Sequence, residues 1–233
     1  MIKAVFFDWF HTVALFDPPR EKLHCQALQA FGIELPPDSL AQGLLVADKD
    51  WFLEDNRSRI KDRSREEQLE VALRYEEIVL RTVGASASRE VLIKVIEKIN
   101  QLYQGITFVL FDDVLPTVKT LKKRQLVMGL ISNATQDMLS VYKKLGLEPY
   151  LDFVVNSGEV GCNKPAAPIF LTALEKAGVE ASEAIHVGDQ YELDVVGAQG
   201  VGIKPILIDR FDVSPEFSDC PRIRGLSELM QYL

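Results

Sequence analysis

Two kinds of apolar spacing divide the chain. Ile2, Ala4, Val5, Phe6 and Phe7 form a short, almost unbroken apolar run that stops at Asp8, and a run of that length fits a strand buried on both faces. Runs of the same kind occupy 126–131, 153–155, 184–187 and 206–208. Between and after them, amphipathic stretches at 115–124, 135–145, 168–177 and 227–233 read as helices, the third with Pro168 in its first turn and Gly178 after its end. Strands alternating with helices predict a parallel sheet joined by right-handed crossovers.

From Asp17-Pro18-Pro19 to about Gln104 the spacing becomes helical throughout. Leu23, Ala27, Ala30 and Phe31 line a first helix closed by Gly32, and Leu40, Leu44, Ala47, Trp51 and Phe52 a second, with Asp38 or Ser39 as its cap. Ser64 and Glu67 make a capping box for a third helix before Gly84, and Ser88 opens a fourth lined by Leu92, Val95 and Ile99. Four such helices can close a small bundle. The charged stretch 54–67 reads as a solvated connection and helix start, with Arg57, Arg59, Arg63 and Arg65 as an alternative landing place for an anionic substrate.

Composition narrows the function. The 233 residues are 47% hydrophobic, enough for a sizeable core. A net charge of −8 argues against a nucleic-acid partner, which needs clustered Lys and Arg. Cys25, Cys162 and Cys220 show neither disulfide nor zinc spacing and read as packing thiols. With no apolar run of membrane length and only Lys3 ahead of Asp8, the expectation is a cytoplasmic protein without membrane contact.

Candidate chemistry gathers where the strands stop. In open parallel sheets the carboxyl ends of the strands face the ligand crevice. There the sequence places Asp8 and Thr12, Ser132 and Asn133, Lys164 before Pro165, and Asp189 followed by Asp194. Singly, each reads as a turn or surface residue. Together they suggest a carboxylate nucleophile able to form an aspartyl phosphate, hydroxyl and backbone groups that hold phosphate, and a lysine that offsets charge. Converging carboxylates repel unless a cation lies between them, and Mg²⁺ suits oxygen donors.

These residues resemble the four motifs of the haloacid dehalogenase (HAD) superfamily, in order: Asp8-Trp9-Phe10-His11-Thr12, Ile131-Ser132-Asn133, Lys164-Pro165, and His186-Val187-Gly188-Asp189 through Asp194. The resemblance spans the chain and implies an α/β fold. Residues 1–15 and 106–233 would form a Rossmann-like doubly wound parallel sheet, and 16–105 an inserted helical-bundle cap. It implies a hydrolase, most readily a Mg²⁺-dependent phosphatase acting on a small phosphorylated metabolite. Asp8 would be nucleophile and metal ligand, with Thr12 and Lys164 in the catalytic set. Ser132, Asn133 and Lys164 would bind substrate. Asp8, the Phe10 carbonyl, Asp189 and Asp194 would make the metal set, Asp194 alternatively orienting Lys164 or a metal-bound water.

One departure bears on mechanism. The family's usual acid and base two positions after the nucleophile is Phe10 here, and its usual next glycine is His11. General acid–base help is worth about 10²–10⁴ in rate, so a phosphatase lacking it would be slow on alkyl phosphates. A structural role in the turn fits His11 better than acid–base replacement. Two other readings stay open. A 2-haloacid dehalogenase also carries an aromatic residue at the place of Phe10, but it dispenses with the carboxylate of Asp189. A weakened member would only bind a ligand or partner.

Overall fold

The computed structural model describes residues 1–134, 139–212 and 219–233. They divide into two compact units, one of Met1–Leu15 with Phe108–Leu233 and one of Phe16–Thr107.

The first unit is built on a six-stranded parallel sheet. Its strands are β1 (Ala4–Phe7), β4 (Val127–Ser132), β5 (Phe153–Asn156), β6 (Ala184–Gly188), β7 (Lys204–Ile208) and β8 (Arg222–Ile223), in the order β5-β4-β1-β6-β7-β8. Central β1 is buried along its whole length because it has packing on both faces. Val5 and Phe7 join the layer that includes Val114, Val118 and Leu121 of α5 (Val114–Lys123). Ala4 and Phe6 join the opposite layer with Ile169, Phe170 and Ala173 of α8 (Ala167–Ala177) and Ala198 of α9 (Val196–Gly200). Period-two side-chain direction thus turns one apolar run into two cores.

Register puts the chemistry at one edge. Phe7 pairs with Leu130 of β4 and Val187 of β6, so Asp8, Ser132 and Gly188-Asp189 leave the sheet side by side. α6 (Leu139–Lys144) and α7 (Ser157–Val160) complete the described α-helices of this unit. The helix expected at 135–145 lies partly outside the described residues. The closing helix expected at 227–233 is present as a 3-10 helix, Leu226–Tyr232.

The second unit consists of α1 (Arg20–Gln29), α2 (Pro37–Arg57), α3 (Arg65–Thr82) and α4 (Arg89–Tyr103). Leu28, Leu40, Leu44, Leu73, Leu80 and Leu92 form the centre of its core. The Ser64–Glu67 capping box and the Ser88 cap are both present. The expected cap of α2 is not. Pro36 stands at the N-cap and Pro37 begins the helix, so Asp38 and Ser39 lie inside its first turn and neither caps; the fixed φ of proline already suits the first helical position. α2 also runs on to Arg57, into the stretch expected to be a connection. A two-stranded sheet of β2 (Ala14–Asp17) and β3 (Thr107–Leu110) was not expected. Both strands are short and half exposed, so no buried run announces them. No described helix is long and apolar enough to cross a membrane.

Candidate active site

Lys164 stands between two carboxylates. Its Nζ donates to Asp8 Oδ1, and to Asp194 Oδ1 at 2.6 Å. Its backbone is held as firmly. Asn133 Oδ1 accepts the Lys164 N–H at 2.7 Å and Asn133 Nδ2 donates to the Lys164 carbonyl at 3.4 Å. The Asn133 amide is therefore turned to the lysine's own peptide groups. Ser132 Oγ accepts the Ala134 N–H at 3.2 Å, and a hydroxyl that accepts one bond can still donate another.

Asp194 sits on a π-helical turn, Tyr191–Val195, which no spacing in the sequence foretold. Oδ1 meets His186 Nε2 at 2.9 Å as well as Lys164, and Oδ2 accepts the Gln190 N–H at 3.1 Å. Burial pushes this carboxyl up, but Lys164 and His186 overcome that and hold it well below the usual carboxylate range. Lys164 is buried too, and its two carboxylates keep it firmly protonated. Asp8 goes the other way. Burial raises its carboxyl to about 7, Lys164 opposing and the charges of Asp194 and Asp189 adding to the rise. One lysine is too little positive charge for this cluster.

Asp8, Asp189 and Asp194 each bring an oxygen within 4.8 Å of the others'. Asp189 also accepts from Gln190 Nε2 at 3.0 Å, and His11 Nδ1 approaches its Oδ2 to 3.7 Å. An all-oxygen set short of positive charge fits Mg²⁺.

In the loop after β1, His11 adopts φ 63°, where the family's glycine would be unstrained. The Phe10 ring stacks on His11 at 4.0 Å and packs against the core. Thr12 is fully buried, and its Oγ1 has no hydrogen-bond partner among the described residues.

All the sequence-predicted residues of this site thus lie at one sheet edge. His186 and Gln190, the partners of Asp194, were missed in this role, although a histidine inside the buried run of β6 is itself a signal. Of the four arginines offered to an anionic substrate, Arg63 is held by Glu54 at 2.6 Å and by the Ser58 carbonyl, while Arg57 and Arg65 are exposed. Cys25, Cys162 and Cys220 are free thiols.

The chain matches the haloacid dehalogenase-like hydrolase family over residues 2–202. It is 37% identical over 113 residues to haloacid dehalogenase-like hydrolase domain-containing protein 3 of Mus musculus, 47% of this chain and 45% of that one. To the ribulose-1,5-bisphosphate 5-phosphatase of Halopiger xanaduensis it is 36% identical over 101 residues, 43% and 42% of the two chains. Each match therefore spans less than half of the relative's own length. Among solved structures, a HAD hydrolase of Bacillus subtilis bound to magnesium shares the fold with TM-score 0.65 at 21% identity, over 100% of this chain and 98% of that one. A 2-haloacid dehalogenase of Pseudomonas syringae reaches TM-score 0.57 at 26% identity, over 99% and 97%.

Proposed function

Because the chain belongs to the haloacid dehalogenase-like hydrolases, we propose that it is a Mg²⁺-dependent phosphatase of a small phosphorylated metabolite, working through an aspartyl phosphate on Asp8. The observation that carries this reading is the gathering of Asp8, Asp189 and Asp194 within 4.8 Å of one another, with Lys164 bridging Asp8 and Asp194. Displacement of halide from carbon needs no such cation site. A relative named as a sugar bisphosphate phosphatase supports the same substrate class.

Asp8, Asp189 and the Phe10 carbonyl would hold the metal. Asp194 is better suited to acting through Lys164, since both of its oxygens already have partners. When bound, Mg²⁺ offsets the carboxylate charge and draws charge from the phosphate oxygens. The Asp8 carboxylate attacks phosphorus, the bond to the leaving oxygen breaks, and water then cleaves the aspartyl phosphate. Lys164 balances negative charge through both steps, with Asn133 fixing its backbone and Ser132 offering its hydroxyl to the phosphate. Thr12 supports the loop that carries Asp8. Phe10 can neither protonate the leaving oxygen nor activate the water, so leaving groups of low pKa are favoured. The helical unit, 16–107, is read as the substrate-selecting cap.

The test is phosphate release from aryl and alkyl phosphates with and without Mg²⁺, alongside halide release from a 2-haloacid without metal. Metal-dependent phosphate release with an aryl preference is expected. Metal-independent halide release would replace this reading with the second one, dehalogenation. The Phe10 ring favours that alternative, as does the likeness to the Pseudomonas syringae enzyme.

A further inference from the structure

The loop after β1 closes on itself. The N–H groups of Val13 and Ala14 donate to the Trp9 carbonyl at 3.0 and 3.1 Å, and that of His11 to the Ala14 carbonyl at 2.9 Å. The Thr12 carbonyl is held from a distant segment. It accepts from Arg210 Nε at 3.1 Å and Nη2 at 2.8 Å. The same guanidinium grips Asp113 with both ends, Nη1 to Oδ2 at 3.0 Å and Nη2 to Oδ1 at 2.9 Å. It also lies 3.9 Å from the centroid of the Phe111 ring.

The anchor of this clamp is itself fixed. Asp113 Oδ2 accepts the Leu226 N–H at 2.7 Å, and a Cβ on Gly225 would stand 2.8 Å from the same oxygen. The Arg210 side chain is only 8% exposed, so its planar fork is held in one geometry that a lysine cannot reproduce. The next residue, Phe211, sets its ring against His11 at 5.4 Å. Two consecutive residues after β7 thus hold two positions of the loop. A loop carrying a left-handed non-glycine residue persists only where its surroundings over-determine it.

We propose that Arg210 is a positioning residue that sets where the Asp8–Thr12 loop presents the Asp8 carboxylate and the Phe10 carbonyl. It touches no reacting atom. Its effect on metal and turnover rests on the roles proposed above for Asp8 and Phe10, but its effect on the loop does not. Misplacement of a reacting group by about 1 Å costs up to about 10²-fold in rate.

The two tryptophans, Trp9 and Trp51, allow the loop to be watched directly. In a Trp51→Phe background, Trp9 emission and its quenching by acrylamide are compared among Arg210, Arg210→Gln, Arg210→Lys and Arg210→Ala, the last with and without added guanidinium ion. Mg²⁺ affinity by calorimetry, thermal midpoint, kcat and KM for an aryl phosphate are measured on the same proteins. The expectation is a red-shifted, more readily quenched Trp9 in all three variants. Mg²⁺ binding should weaken about tenfold or more, and kcat should fall far more than KM rises. Guanidinium should restore Arg210→Ala in part, and lysine should not substitute. Trp9 emission, quenching and Mg²⁺ affinity within twofold of the parent in folded variants would overturn the proposal, as would full recovery with lysine. A parent that releases no phosphate sinks the phosphatase reading alone, and the Trp9 comparison then decides the clamp.

Discussion

Gly188 and Asp194 approach so closely that a Cβ on Gly188 would lie 2.2 Å from the Asp194 carboxyl carbon and 2.4 Å from its Oδ2. The end of β6 therefore needs glycine to admit the carboxylate that holds Lys164 and His186. Asp194 cannot swing aside without giving up these partners. Gly188→Ala should destabilise the fold by about 1–3 kcal/mol, the usual cost of overpacking, and lower kcat with it. Urea unfolding and steady-state kinetics check this, and a variant with parental stability and rate would show that Asp194 has room to move.

Lys164→Ala removes the cation that bridges Asp8 and Asp194, both of them buried. Breaking a buried pair from one side costs about 3–5 kcal/mol, because a charge is left without its partner. Turnover and ligand binding should fall together with stability. Unchanged kinetics in a folded Lys164→Ala protein would remove the lysine from the mechanism.

Asp8→Asn should abolish turnover and leave the fold intact. It also makes a prediction about pH. The carboxyl of Asp8 is raised from 3.8 to about 7 by burial and by neighbouring carboxylates, against the pull of Lys164. A raised acid binds its proton more tightly when folded, so its stabilising contribution is full below 3.8 and is lost as pH rises through about 7. Asparagine mimics the protonated form and loses nothing. Without Mg²⁺, the stability of Asp8→Asn relative to wild type should grow from pH 4 to pH 7 and then level off. Denaturant titrations at a series of pH values measure this, and a pH-independent difference would mean that Asp8 is not strained by charge.

Phe10→Asp restores a carboxylate where the leaving oxygen is protonated. Alkyl phosphate turnover with Mg²⁺ should rise, at most by the ~10²–10⁴ of general acid–base catalysis, and aryl phosphate turnover should rise less. The gain should fall short of that ceiling because the site is shaped around a ring stacked on His11 rather than around a carboxylate. The matched alkyl and aryl pair decides it. No selective alkyl gain in a folded variant would mean that the missing acid does not limit the enzyme.

By itself the sequence determined what local spacing controls. The apolar run before Asp8, its repeats at β4, β5, β6 and β7, and the helical insert follow from periodicities of two and 3.6 residues, whereas the short strands β2, β3 and β8 do not. So did the place of the site, because side chains at the carboxyl ends of neighbouring parallel strands must converge. Tertiary structure alone decided which polar atoms meet. Arg210 and the Thr12 carbonyl are 198 positions apart, Lys164 and Asp8 156, and Arg20 and Asp48, a part-buried pair in the helical unit, 28. No periodicity relates such residues. The turn of Asn133 toward the Lys164 backbone and the π-helical placement of Asp194 belong to the same class. Each results from a buried polar group taking whichever partner packing brings within reach, since leaving it unpaired costs more than any local preference.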